Sequence, residues 1–138
     1  MDLVRLSANK PCPCHNGRKT KSCCGPILRG SPAPTPLALM QSRYAAYATR
    51  NFDHIIKTTH PDSPHYQVNR KKWWNQIEAF CEGFEFVGLT IHDSETSTSS
   101  GWVEFTAHLK QGEEHASFTE RSRFFFQNGA WLYHSAIV

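Results

Sequence analysis

The sequence predicts an α+β domain, and two changes of pattern along its 138 residues carry that prediction. Between Pro36 and Glu82 apolar residues recur at helical spacing. Past Gly83 the period drops to two, as in half-buried strands. Helices first and strands after is the order that segregates three N-terminal helices onto one face of a curved antiparallel sheet. A third observation concerns the stretch in front of this domain: four of the five cysteines fall between Cys12 and Cys24.

Those cysteines form two close pairs, Cys12-Pro13-Cys14 and Cys23-Cys24, separated by a short polar loop. Four soft sulfur ligands that can converge on one point suit a tetrahedral structural zinc. A bridge within either pair would close a strained small ring. A disulfide between the pairs is the competing reading. Asn16-Gly17 suits a tight turn that folds the second pair back on the first. His15 lies within that turn and is a weaker ligand candidate than Cys14. The fifth cysteine, Cys81, sits in an apolar helical pattern and reads as an inert core thiol.

The segment resembles the SEC-C motif, a short zinc-binding element with the order C-x-C, basic loop, then C-C or C-H. Cys12, Cys14, Cys23 and Cys24 match its four ligands one for one, which implies zinc at those positions. His15-Asn16-Gly17 stands where Gly-Ser-Gly is common, and Thr20 where an aromatic is common. Neither departure touches a ligand.

The net charge of +3 hides an asymmetry. Residues 1–31 hold six basic side chains against one acidic, and the remainder holds nine against eleven. Arg18, Lys19 and Lys21 in the knuckle loop could meet an anionic partner. A protein surface is the favoured partner, with nucleic acid second because no helix clearly follows to enter a groove. The favoured reading is local: they balance the formal −2 of four thiolates around Zn²⁺. No apolar run is long enough to span a membrane. The start, Met1-Asp2-Leu3-Val4-Arg5, lacks the apolar core of a secretory signal. Clustered cysteines without such a signal favour a reduced, cytoplasmic protein.

Residues 25–36 are rich in proline and read as a stiff connector, with the knuckle in 1–31 held at a distance from a domain in 32–138. Thr35-Pro36 opens the first helix, with Leu37, Met40, Tyr44, Tyr47 and Ala48 on one face. Asn51 caps a short second helix with Phe52, Ile55 and Ile56 inward, stopped by Thr59-His60-Pro61. A third helix runs from about Arg70 to Glu82, with Trp73, Trp74, Ile77, Phe80 and Cys81 on one side and Gly83 as its stop. Strands follow. Val87, Leu89 and Ile91 face inward on the first; residues 94–101 form a loop; Val103, Phe105, Ala107 and Leu109 face inward on the second. A third strand covers His115–Phe126, and Gln127-Asn128-Gly129 turns it into a last strand from Trp131.

The stretches Arg43-Tyr44-Ala45-Ala46-Tyr47, Lys57-Thr58-Thr59-His60-Pro61 and Trp102-Val103-Glu104-Phe105-Thr106-Ala107 resemble the YchJ family. So does the pattern His115…Glu120-Arg121-Ser122-Arg123-Phe124…Gly129-Ala130-Trp131-Leu132-Tyr133. Members join a SEC-C motif to a domain of the nuclear-transport-factor-two-like fold, so the resemblance implies a cone made by a bent sheet wrapped on helices. Some relatives carry a second SEC-C motif at the C-terminus. This chain ends at Val138 without one, which puts any role needing two knuckles in doubt.

One strand position stands out chemically. If Phe118, Phe124 and Phe126 point inward, period-two geometry places Glu120 and Ser122 on the same face. A carboxylate there must find hydrogen bonds, a cation or a ligand. Arg43 is the expected partner, since Arg holds carboxylates bidentately. Tyr44, Tyr47, His60 and Trp74 could line the same concavity. The architectural reading is a buried Glu120 paired with Arg43 or a tyrosine hydroxyl, tying helix to sheet, and the functional reading is a polar ligand pocket. The histidines are scattered, and no H-E-x-x-H, G-x-S-x-G, Walker A or dinucleotide fingerprint occurs.

Three function classes follow. The preferred one is a zinc-stabilised binding or adaptor protein, with the knuckle docking a protein partner and the cone holding a small-molecule ligand. The alternative is an enzyme with Glu120 as acid or base in the cone. The third is a metal-handling or redox protein acting through its thiolates. A closed four-cysteine site argues against catalytic zinc, which keeps an open position.

Overall fold

The computed structural model describes residues 7–137, so the start Met1–Arg5 and the terminal Val138 lie outside them. A bridge between Pro11 and Lys19 closes the knuckle hairpin. The left-handed positions of its turn are His15 (φ 63°) and Gly17 (φ 88°), so the turn is offset by one residue from Asn16-Gly17. Asn16 Oδ1 accepts the Arg18 N–H at 2.9 Å and fills the gap. One 3₁₀ turn, Thr20–Ser22, leads to Cys23 and Cys24, and helix α1 (Gly25–Leu28) follows. Gly25 is required there, because a Cβ would lie 2.7 Å from the Thr20 carbonyl oxygen.

Helix α2 (Pro36–Thr49) begins as expected, with the Thr35 hydroxyl accepting the Ala38 N–H at 3.1 Å. Asn51 caps α3 (Phe52–Lys57), and Asn69 caps α4 (Arg70–Gly83) by accepting the Lys72 N–H at 3.0 Å. Gly83 does not serve as a left-handed stop. The chain runs straight into extended backbone at Phe84 (φ −134°).

The strands β1 (Glu85–Thr96), β2 (Ser100–Gln111), β3 (Glu114–His115), β4 (Phe118–Gln127) and β5 (Ala130–Ile137) form one antiparallel sheet. Its order is β1-β2-β4-β5, with β3 pairing β2. The stretch expected as a loop at 94–101 is mostly strand, with only residues 97–99 left to turn. The expected third strand is broken at Ala116–Ser117, where the Ser117 hydroxyl takes the Leu109 N–H at 3.2 Å. A register shift between Phe86 and Gly88 corrects the reading of β1. Phe86 packs inward and Val87 is left 40% exposed. Such a bulge lets one residue slip out of alternation.

Two cores meet on α2. Leu39, Met40 and Tyr44 pack on Val103, Phe105, Phe124 and Trp131 of the sheet. Ala46 packs with Phe52, Ile55 and Ile56 of α3 and Trp73, Ile77 and Cys81 of α4. The knuckle is not held at a distance. Cys12, Cys14 and Cys24 form a buried cluster with Ala45, and Ile27 and Leu28 pack against the two cores. The small side chain of Ala45 admits the cysteine sulfurs, and the connector lays the knuckle onto the helix.

Ser42 and His54 join α2 to α3 through a 2.9 Å contact between hydroxyl and Nε2. Burial, followed by the nearby Arg43 charge, holds His54 down at about 4. The unfolded chain therefore binds a proton that the folded chain refuses between that value and the ordinary 6.5. Stability should be full above that window and fall with pH across it, by on the order of 3 kcal/mol from this residue. Urea unfolding from pH 4 to 7 checks this: the slope should flatten in His54→Asn, and equal slopes would contradict the assignment.

Candidate functional site

The four knuckle cysteines bring their sulfur atoms within 4.8 Å of one another, with Cys14–Cys23 at 3.5 Å and Cys23–Cys24 at 3.7 Å. A tetrahedral thiolate site with metal–sulfur bonds of ~2.3 Å has sulfur–sulfur edges of roughly 3.8 Å. All five cysteines are free, so the inter-pair disulfide is not formed. Hydrogen bonds from the Cys14 and Cys24 thiols hold Cys12 far below the usual thiol range. In exchange, those same bonds to Cys12 push Cys14 and Cys24 up. A cation at the centre would replace the shared protons and let all four ionise. Asn16 Nδ2 donates to Cys23 Sγ at 2.9 Å, the kind of outer contact that orients a ligand. The residues fit a metal ion; His15 is not part of the cluster, and its ring packs edge-on with Tyr44, the centroids 5.9 Å apart.

The knuckle cations divide. Arg18, Lys19 and Lys21 are all exposed to solvent, but Arg18 also donates to the Ser22 carbonyl and braces the loop.

Beneath α2 the sheet curves around a cavity of about 730 Å³, within the range of small-molecule sites. Its floor is apolar, from Met40, Phe105, Leu109 and Phe124. Its mouth includes exposed Pro64, His65 and Phe118. Arg43, Tyr44, Tyr47, Glu120 and Ser122 all line it, as the sequence patterns expect. Trp74 and His60 do not. The buried stripe of α4 runs Trp73, Ile77, Cys81, which puts Trp73 on the cavity and leaves Trp74 39% exposed against Phe52. The backbone at Thr59 bridges β5, so Thr59 faces the cavity. His60 turns to the other side, where Nε2 meets Gln127 at 2.7 Å and Nδ1 accepts the Asp62 N–H.

The expected Glu120–Arg43 pair is absent. Arg43 is nine-tenths buried, and its Nη1 donates to the Ile55 carbonyl, Thr58 Oγ1 and Thr59 Oγ1 at 3.1, 2.8 and 3.2 Å. Burial lowers its pKa, and its guanidinium carbon lies 4.6 Å over the Tyr133 ring. Glu120 is held instead by Ser122 and by the Tyr133 hydroxyl at 3.5 Å, both on Oε2. Tyr133 thus stands between base and acid. The expected tyrosine hydroxyl at Glu120 is therefore present, but the sequence did not single out Tyr133, which was findable only as an aromatic facing in from the last strand. Burial first, then the Glu120 charge, pushes its hydroxyl well above the usual phenol range.

A family model described as the middle, NTF2-like domain of YchJ matches residues 35–136. The chain belongs to the YchJ family. A UPF0225 protein of Deinococcus radiodurans is 41% identical over 127 residues, covering 90% of this chain and 86% of that protein. The solution structure of a SEC-C motif containing protein from Rhodopseudomonas palustris superposes with a TM-score of 0.80 at 35% identity. That match covers 94% of this chain and 98% of the other. The crystal structure of a SEC-C motif containing protein from Psychrobacter arcticus shares the fold, with a TM-score of 0.77 at 22% identity over 93% and 82% of the two chains. The likeness to the Rhodopseudomonas SEC-C motif protein joins the four-sulfur cluster in suggesting that this YchJ protein binds a metal.

The cavity geometry decides how much Glu120 supports the fold. Breaking a buried ion pair costs about 3–5 kcal/mol. Glu120 instead accepts from two hydroxyls beside an open cavity, so Glu120→Gln should destabilise by only about 1 kcal/mol. Urea unfolding measures this, and a loss in the larger range would make Glu120 an architectural anchor.

Proposed function

We infer that this YchJ protein is a zinc-stabilised binding protein whose cone takes a small organic ligand. The observation that carries the reading is the cavity: it is of ligand size, its floor is apolar, and a few polar groups converge on it from α2, β4 and β5. Four closed sulfur ligands favour zinc in a structural role, seating the knuckle on α2. Free thiols throughout suit a reduced compartment such as the cytoplasm.

Elemental analysis of protein purified under reducing conditions should find one zinc per chain, lost in the Cys12→Ser/Cys24→Ser variant. An oxidised, metal-free knuckle would contradict it. For the cone, indole serves as a neutral aromatic probe. Its titration should shift the amide resonances of Phe105, Phe124 and Tyr133, and unmoved resonances would contradict a ligand site.

A further inference from the structure

The geometry points to a specific ligand class for the cone: an organic carboxylate whose aromatic or alicyclic body also carries a hydroxyl or ammonium donor. This rests on reading the cone as a ligand site. The carboxylate meets Arg43 and the donor meets Glu120.

The first observation is how Arg43 spends its hydrogen bonds. All three go through Nη1, and all three acceptors are neutral, one carbonyl and two hydroxyls. Among the described residues Nε and Nη2 have no hydrogen-bond partner, and neither is sealed from solvent, since Arg50 Nη1 is the buried nitrogen found without one. Nε and Nη2 together form one edge of the planar guanidinium, the fork that matches a carboxylate with two parallel hydrogen bonds. A guanidinium buried with neutral partners is poorly compensated. An anion arriving through the cavity supplies what the protein withholds.

The second observation is the matching asymmetry at Glu120. Ser122 and Tyr133 both donate to Oε2, which leaves Oε1 without a partner among the described residues. A half-buried carboxylate oxygen on the cavity wall takes a hydroxyl or an ammonium. The two charges are kept apart by Tyr133, whose ring lies under Arg43 and whose hydroxyl reaches Glu120. A ligand with an acid and a nearby donor spans them, and a simple monoanion meets only one. The body of that ligand is set by the lining, where Trp73, Phe86, Phe105, Phe118 and Phe124 offer ring faces and edges.

Titration calorimetry on the full zinc-loaded chain tests this with indole-3-lactate, indole-3-propionate and indole-3-propionamide. The propionate should bind about tenfold or more tighter than its amide, the worth of one charge-assisted contact out of water. The lactate should gain a further severalfold through its hydroxyl, and Glu120→Gln should erase that gain alone. Binding of the propionate should shift the Arg43 Nε–H resonance, and Arg43→Lys should shrink the acid-over-amide preference. If Arg43→Lys does not fold, the wild-type comparison of acid with amide still decides. Amide bound as tightly as acid would overturn the ligand class and leave the ligand site standing. Failure of all three probes to bind would overturn both.

Discussion

Helix α2 has almost no side facing water, and the rest of the structure is arranged around that burial. Ala45 and Ala46 are both fully buried, one under the knuckle sulfurs and the other against α3 and α4. Met40 and Tyr44 close the sheet side. A helix this enclosed is held by packing more than by propensity. Small residues at its centre let three neighbours approach at once. The same helix supplies Arg43, Tyr44 and Tyr47 to the cavity wall, so whatever fixes α2 also fixes the wall. Tyr44 carries the connection furthest: its ring meets His15 of the knuckle, and its hydroxyl accepts the Gly88 N–H at the β1 bulge, 3.0 Å away.

The two polar centres follow opposite rules. In the knuckle all four converging atoms are sulfur, a set that would leave a tetrahedral ion no open coordination position. In the cone the charged groups are each half satisfied. Arg43 is anchored through one nitrogen and Glu120 through one oxygen, and Tyr133 prevents the short cut between them. Had the two met directly, the cavity would contain a neutralised pair and little reason to bind anything polar. The division separates a sulfur cluster suited to holding a metal from a cavity lined by half-satisfied charges.

Much of this was legible in the sequence, because local rules govern it. Thr35 and Asn51 announce their caps, and period two over β4 places Glu120, Ser122 and Phe124 on one face. The four cysteines needed only their spacing. What was not legible depends on tertiary geometry. The phase of α4 separates Trp73 from Trp74 by one residue, and both fit an apolar stripe. The bulge at Gly88 is set by a hydroxyl forty-four positions earlier. The seating of the knuckle on Ala45 has no sequence signal, since alanine suits a core or a surface. Arg43 turned to Thr58 and Thr59 because α3 delivers their hydroxyls and a carbonyl closer than β4 delivers a carboxylate.

Amide hydrogen exchange along α2, with the metal bound and then stripped by a chelator, tests most directly whether the helix is shared between knuckle and cavity. Exchange from core amides tracks the free energy of local opening. If the knuckle holds α2 in place, stripping should speed exchange at Ala45–Thr49 by about tenfold or more, a loss of about 1.4 kcal/mol of local stability. Unchanged exchange along α2, with only the knuckle amides accelerated, would show that the knuckle rests on the helix without supporting it.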